Sequence, residues 1–259
     1  MVHPLRGRGR DGNALRVVAD VTGERSGIVT PLERPVISRL RAVVPVLLLA
    51  LACAGVAPPA LADASHHVVS IARARTLPLG TVVTVAGTAT TPSGAFESSL
   101  FDKGFAVQDR SAGIYVSVAV DLGVAPRAGV RVTGVLRDSS GLRVLVPADP
   151  AAVHVRGRGP AIHAEPLLTG AVGEAVEGLL VRVTGRITRA PESDLPYGST
   201  FFVDDGSGEL MIFVNVQTGI DLSGLAVGRT VRVTGFSSQF DTHYEVNPRF
   251  PADIAVRRS

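Results

Sequence analysis

The sequence predicts an all-β protein, with two closed five-stranded barrels in tandem behind an N-terminal secretory segment. Three observations predict it. Gly (28) and Pro (17) punctuate the 259 residues while Trp is absent, a composition that suits short strands and tight turns better than long helices. Two apolar stretches, Gly104–Val118 and Thr200–Val216, each fold back on a cluster of turn formers, the signature of a β-hairpin. The third observation is repetition. Thr81–Gly87 matches Leu179–Gly185, Asp109 matches Asp205, Val130–Gly134 matches Val231–Gly235, and Pro147–Val155 matches Pro248–Val256, at offsets of 98, 96, 101 and 101 residues. Offsets this close, in one order, predict a duplicated unit, with the first barrel over 65–157 and the second over 158–259.

The leader comes first in the chain. Residues 1–35 show no sustained apolar period and read as disordered or as untranslated leader. Residues 36–64 read as a signal peptide: Arg39 and Arg41 precede the apolar run Ala42–Ala52, and Ala60-Leu61-Ala62 is a small-residue cleavage pattern. Carried on to Ala57, the apolar stretch is roughly 16 residues long and broken by Pro45, short of the ~20 a membrane span needs. A signal beginning so far from Met1 predicts a valine-coded start at Val36. Cys53 is the only cysteine. Ala50-Leu51-Ala52-Cys53 loosely resembles a bacterial lipobox with Ala50 in place of leucine, which makes lipid anchoring the alternative to cleavage. Cleavage after Ala62 leaves no cysteine, so a secreted or cell-envelope protein is expected whose stability comes from burial without disulfides.

Charge says less than it first suggests. The sequence pI is about 9.6, but eight of the 26 basic and five of the 23 acidic side chains fall in residues 1–64, leaving 18 of each in 65–259. Overall basicity is therefore no evidence for a polyanionic partner.

Each unit yields five strands. Strand one is a β-branched alternation that reaches Gly87 or Gly185, where a bend or bulge is expected. Strands two and three are the hairpin, which in the second unit reverses through Asp205-Gly206-Ser207-Gly208. Strand four is Val-x-Val-Thr-Gly. Strand five lies near Val144–Val155 and His243–Val256. Gly123 and Pro126 in the first unit, and three glycines in Gln217–Gly228, leave no room for a helix between strands three and four. Five short bent strands in about a hundred residues close into a barrel, which removes exposed edges. Arg156-Gly157-Arg158-Gly159-Pro160 has the composition of a short hinge, and Ile162–Glu177 is expected to be a lead-in with one short helix.

The order Val-x-Val-x-Gly, then Phe-x-Val-x-Asp-x-Ser-x-Gly-Ile-Tyr-Val, then Gly-x-Val-x-Val-Thr-Gly resembles the OB-fold modules of secreted bacterial proteins. Several of those accompany extracellular nucleases and are described as nucleic-acid-binding. The resemblance covers roughly 68–257 in two modules and implies two OB-like barrels with a nucleic-acid-binding role. Its motifs are structural glycines and core valines, which speak for fold more than function. No nuclease domain follows before Ser259, so a non-catalytic role is expected.

Strand alternation assigns the faces. Phe201, Val203, Leu210, Ile212, Val214, Val181, Val183 and Ile187 take the inward parity. Phe202, Met211 and Phe213 point outward, as do Arg182, Thr184, Arg186 and Arg232. OB-folds take ligands on the sheet and the flanking loops, and arginines beside aromatics suit single-stranded nucleic acid, rings for the bases and guanidinium groups for the phosphates. The candidate binding residues are thus Arg182, Arg186, Phe202, Phe213 and Arg232. The first unit offers less, with Thr84, Ala106, Tyr115 and Ser117 outward and Tyr115 its one candidate. The alternative is that Phe202, Met211 and Phe213 are buried against the first barrel.

Enzyme signatures are lacking: H-E-x-x-H, G-x-S-x-G, a P-loop and C-x-x-C do not occur. No two of the six histidines sit at metal-ligand spacing on one strand, and His66-His67 suggests adventitious metal binding in a tail. Asp204–Glu209 lacks the ligand spacing of a calcium loop, and the Ala190–Tyr197 loop, with Glu192 and Asp194, is expected to be solvated. No enzyme activity, cofactor or metal is therefore expected. The expected partner is single-stranded DNA or RNA, with a structural or protein-interaction role in the cell envelope as the alternative, and membrane contact only through the leader.

Overall fold

The computed structural model describes residues 67–257, within one compact unit; the leader, signal segment, Cys53 and His66 lie outside the described residues. The first part opens with β1 (Val68–Val69) and the one-turn helix α1 (Ile71–Arg75), which the sequence reading did not anticipate. Then come β2 (Val82–Ala89), β3 (Phe105–Gln108), β4 (Gly113–Val116), β5 (Ala128–Ser139), β6 (Leu142–Val146) and β7 (Val153–Arg158). The second part holds β8 (Glu165–Pro166), β9 (Leu180–Asp194), β10 (Gly198–Asp204), β11 (Leu210–Asn215), β12 (Thr230–Phe240), β13 (His243–Asn247) and β14 (Ile254–Val256).

Both sheets close in the same way. In the first, β2-β3-β4-β6-β5 returns to β2, every pair antiparallel except β4 with β6. In the second, β9-β10-β11-β13-β12 returns to β9, again with one parallel pair, β11 with β13. Two OB-like five-stranded barrels result. Their interiors follow the alternation: Phe105, Val107, Ile114 and Val116 fill one, and Phe201, Val203, Ile212 and Val183 the other, all at 1% exposure or less.

The Asp-x-Ser turns earn their repetition through a shared role. Asp109 accepts a hydrogen bond from the backbone N–H of Ile71 at 2.9 Å, and Ser111 Oγ accepts one from Ala72 at 3.0 Å. Asp205 likewise accepts from Thr169 N at 3.2 Å, and Ser207 Oγ from Gly170 N at 2.9 Å. Each hairpin thereby caps the segment that leads into its own strand one, satisfying N–H groups that would otherwise lack partners. The Ser207 hydroxyl, then Thr169, holds the Asp205 carboxyl down at about 2.

Four expectations need correction. Strand five is two strands in each unit, because Pro150 and Pro251 begin 3-10 turns where proline cannot donate to a ladder. The expected hinge is still strand: β7 runs to Arg158, which pairs with Ala128. The lead-in forms β8 and two 3-10 turns, 169–171 and 174–176, in place of one helix, since Gly170, Gly173 and Gly178 interrupt any longer run. The Ala190–Tyr197 loop is short, because β9 continues to Asp194 with Glu192 paired to Thr200.

The barrels meet across their outer walls. Phe236 of β12 packs on Tyr115 and Phe96 of the first barrel, ring centroids 5.7 and 6.2 Å apart, within a buried cluster that includes Ala106, Leu142 and Val144. Beside it, Arg75 reaches Glu177 at 2.9 Å and Glu174 at 3.0 Å. Burial pushes the Glu177 carboxyl up against the pull of Arg75. Backbone touches backbone at Gly113 and Gly178: a Cβ on Gly113 would stand 1.9 Å from the Gly178 carbonyl oxygen. Neither position tolerates a side chain.

Candidate functional site

Three of the six residues singled out from sequence are neighbours. Register pairs Arg182 with Thr234, Thr184 with Arg232, and Arg186 with Thr230, so β9 and β12 present a checkerboard of arginine and threonine on one outer wall. Alternation forces this, since the inward positions between them are Val181, Val183, Val231 and Val233, each at 1% exposure or less. All three arginines are exposed, and none of their guanidinium groups has a hydrogen-bond or ion-pair partner among the described residues. Asp204 lies opposite Arg186 on the other side, through β10.

The aromatics lie further round the barrel. Phe202 pairs with Met211 and Phe213 with Thr200 across the hairpin. Phe202 is half-buried and its ring carries the Arg189 guanidinium at 3.5 Å, which in turn pairs with Glu209. Phe213, also half-buried, belongs to a different place, a cleft between the barrels. Tyr115 was expected to face solvent. Its parity is outward, but Phe236 covers that wall and leaves Tyr115 1% exposed, its hydroxyl donating to Asp102 at 2.8 Å. Thr84, Ala106 and Ser117, expected outward beside it, are buried too. The alternative of burial against the first barrel applies to Phe236 rather than to Phe202.

The cleft, about 800 Å³, is built from equivalent parts of both barrels. The second contributes the β10–β11 face, with Thr200, Met211 and Phe213, and the tips at Tyr197 and Phe240; the first contributes the loop after β2, with Phe96 and Phe101, and the tip at Ser140. These are the strand-two-and-three faces and flanking loops on which OB-folds take ligands, here turned towards one another. Its one deeply buried charged group is Glu245 on β13, 7% exposed. Oε1 accepts a hydrogen bond from Asn247 Nδ2 at 3.1 Å, and burial pushes the carboxyl up to about 7. Sequence reasoning missed Glu245, although the 101-residue offset that aligns the repeats sets it against Val144.

No family model matches this sequence. Over 134 residues, 49% of this chain and 11% of the other, it is 26% identical to the endonuclease YhcR of Bacillus subtilis (strain 168), and so spans about a tenth of that relative's length. Among solved structures, a murine DNA-binding protein bound to double-stranded DNA shares 12% identity, covering 68% of this chain and 97% of its own, at a TM-score of 0.37. The hypothetical protein ygiW of E. coli shares 18% identity, covering 36% of this chain and 92% of its own, at a TM-score of 0.28.

Proposed function

We propose that this chain is an exported, non-catalytic module that binds single-stranded nucleic acid along the outer wall of its second barrel. The observation that carries the reading is the set of three guanidinium groups, Arg182, Arg186 and Arg232, without partners among the described residues and in consecutive cross-strand register. Unpaired arginines on an exposed wall meet a phosphate backbone without first breaking ion pairs, and threonines between them offer hydroxyl donors. The stretch of similarity to an endonuclease supports nucleic acid as the partner class. Phe202 lies beyond the wall as a ring for bases, whereas Phe213 stands in the cleft between the barrels and falls outside this reading.

The test is fluorescence anisotropy of the protein with labelled single-stranded DNA, RNA and a duplex, over a range of salt. Binding should weaken with salt. Replacing all three arginines by glutamine should lower the slope of log affinity against log salt by about 2, at roughly 0.7 per phosphate contact on single strands. A preference for duplex would overturn the single-stranded assignment. Unchanged affinity in the triple variant would remove the wall as the site, and no binding even at low salt would leave a protein of the cell envelope as the partner to seek.

A further inference from the structure

The cleft between the barrels has a chemistry that does not suit a phosphate backbone. Its charged side chains are Glu97, Asp194 and Glu245, and its one basic candidate is His243. The arginines of the nucleic-acid wall do not line it. Glu97 of the first barrel is paired with Lys103 at 3.3 Å, so the cleft's acids without a cationic partner among the described residues are Asp194 and Glu245, both of the second barrel.

Glu245 needs a partner more than the others do. Its Oε1 has Asn247, while its Oε2 has no hydrogen-bond partner among the described residues. A carboxylate 93% buried is costly to ionise unless a cation pairs with it, and its Oε2 opens onto the cleft with no protein partner among the described residues. Nothing in the fold requires the acid there, since the matching position of the first barrel is Val144, fully buried in the same wall.

The rim supplies a second, independent observation. Phe101 is 69% exposed and sits at φ 56°, in the left-handed region, which a bulky side chain rarely adopts. The loop is pinned below it: Asp102 accepts hydrogen bonds from Tyr115 Oη at 2.8 Å and from the backbone N–H of Gly104 at 3.2 Å. That pinning explains the backbone but not the choice of phenylalanine, whose ring has no aromatic partner among the described residues. On the second barrel Phe240, 51% exposed, and Tyr197, 50% exposed, stand at the cleft as well. Aromatic faces attract cations and repel anions.

We propose that the cleft binds a compact organic cation, an ammonium or guanidinium ion, paired with the Glu245 carboxylate and flanked by aromatic rings from both barrels. The volume of about 800 Å³ suits a small molecule. The cation answers the idle Oε2, the exposed rings and the acidic lining together. A neutral apolar ligand would answer only the rings. This site is separate from the nucleic-acid wall and does not depend on it.

The test is isothermal titration calorimetry of the whole protein with agmatine and with benzyltrimethylammonium, at about pH 8 so that Glu245 is ionised, with benzyl alcohol as the uncharged control. Saturable binding of at least one cation is expected, with little or none for the alcohol. Glu245→Gln should weaken it at least tenfold. Phe101→Ser, a change at an exposed side chain, should weaken it several-fold and keeps the test readable if Glu245→Gln fails to fold. Oligonucleotide binding should be unaffected in both variants, which separates this site from the arginine wall. Absence of saturable binding by either cation, equal binding of the alcohol, or undiminished binding in both variants would overturn the proposal.

Discussion

At matching places on strand one the first barrel carries Thr84 and Thr88 where the second carries Arg182 and Arg186, and at matching places on strand four both carry arginine, Arg131 and Arg232. The registers are equivalent as well: Thr84 pairs with Thr133 as Arg182 pairs with Thr234, and Ala86 with Arg131 as Thr184 with Arg232. Yet Thr84 and Thr88 are 1% and 2% exposed while their counterparts are exposed arginines. In the first barrel Thr84 bonds Thr133 at 2.7 Å, and Gly159, just after β7, lies so close to Thr88 that a Cβ there would stand 2.4 Å from its hydroxyl. One wall is used to hold the fold together and the other is left open. The same strand order therefore fixes the inward residues of both barrels and leaves the outer walls free to diverge.

The largest expected break in that comparison is at the start of strand three. Gly113 and Glu209 occupy matching positions, one pressed on Gly178 and the other exposed beside Arg189. Gly113→Ala would drive the barrels apart and should cost about 3 kcal/mol, whereas Glu209→Ala should change stability by ~1 kcal/mol or less. Urea unfolding of the two variants checks this, and equal losses would mean that the barrel contact contributes little.

Next in size is Glu245→Val, which gives the second barrel the residue of the first. The folded carboxyl is raised from 4.5 to about 7. Between those values the folded chain holds a proton that the unfolded chain has released, so wild-type stability is fully present below pH 4.5 and falls as pH rises to 7. A shift of this size corresponds to a loss on the order of 3 kcal/mol. The difference in stability between wild type and Glu245→Val should trace that fall and level off above it. A difference that does not vary with pH would mean that folding leaves the Glu245 carboxyl unshifted.

The barrel interiors were legible because alternation leaves a strand residue two choices, and valine and phenylalanine at period two make only one of them stable. Val181, Val183, Phe201 and Ile212 follow directly. What lay outside was legible only as parity. Tyr115 and Phe236 have outward parity, and nothing local to either says that the two walls will meet, because that contact depends on Gly113 and Gly178, which are far apart in sequence and read locally as turn or strand-end glycines. Parity alone places Arg182, Arg186 and Arg232 outward, and in the structure all three are exposed. Glu245 escaped notice because one acid in an edge-like segment reads as solvated until the other barrel closes over it. The cleft belongs to the pairing of the two barrels, and a reading of each strand alone does not contain it.

The smallest expected change in stability, and the sharpest in function, comes from giving the second wall the residues of the first. Arg182→Thr with Arg186→Thr substitutes a residue well suited to strands at exposed positions, so the unfolding midpoint should move little, within about 0.5 kcal/mol. The salt slope of oligonucleotide binding should fall by about 1.4, two phosphate contacts on single-stranded nucleic acid, with Arg232 left as the one arginine of the original three. A protein that loses this slope while keeping its stability shows that the difference between the two walls is a difference in binding. One that keeps the slope places the phosphate contacts elsewhere, because the two walls would then carry two threonines and one arginine at matching register and no longer differ in the charge that the binding reading requires.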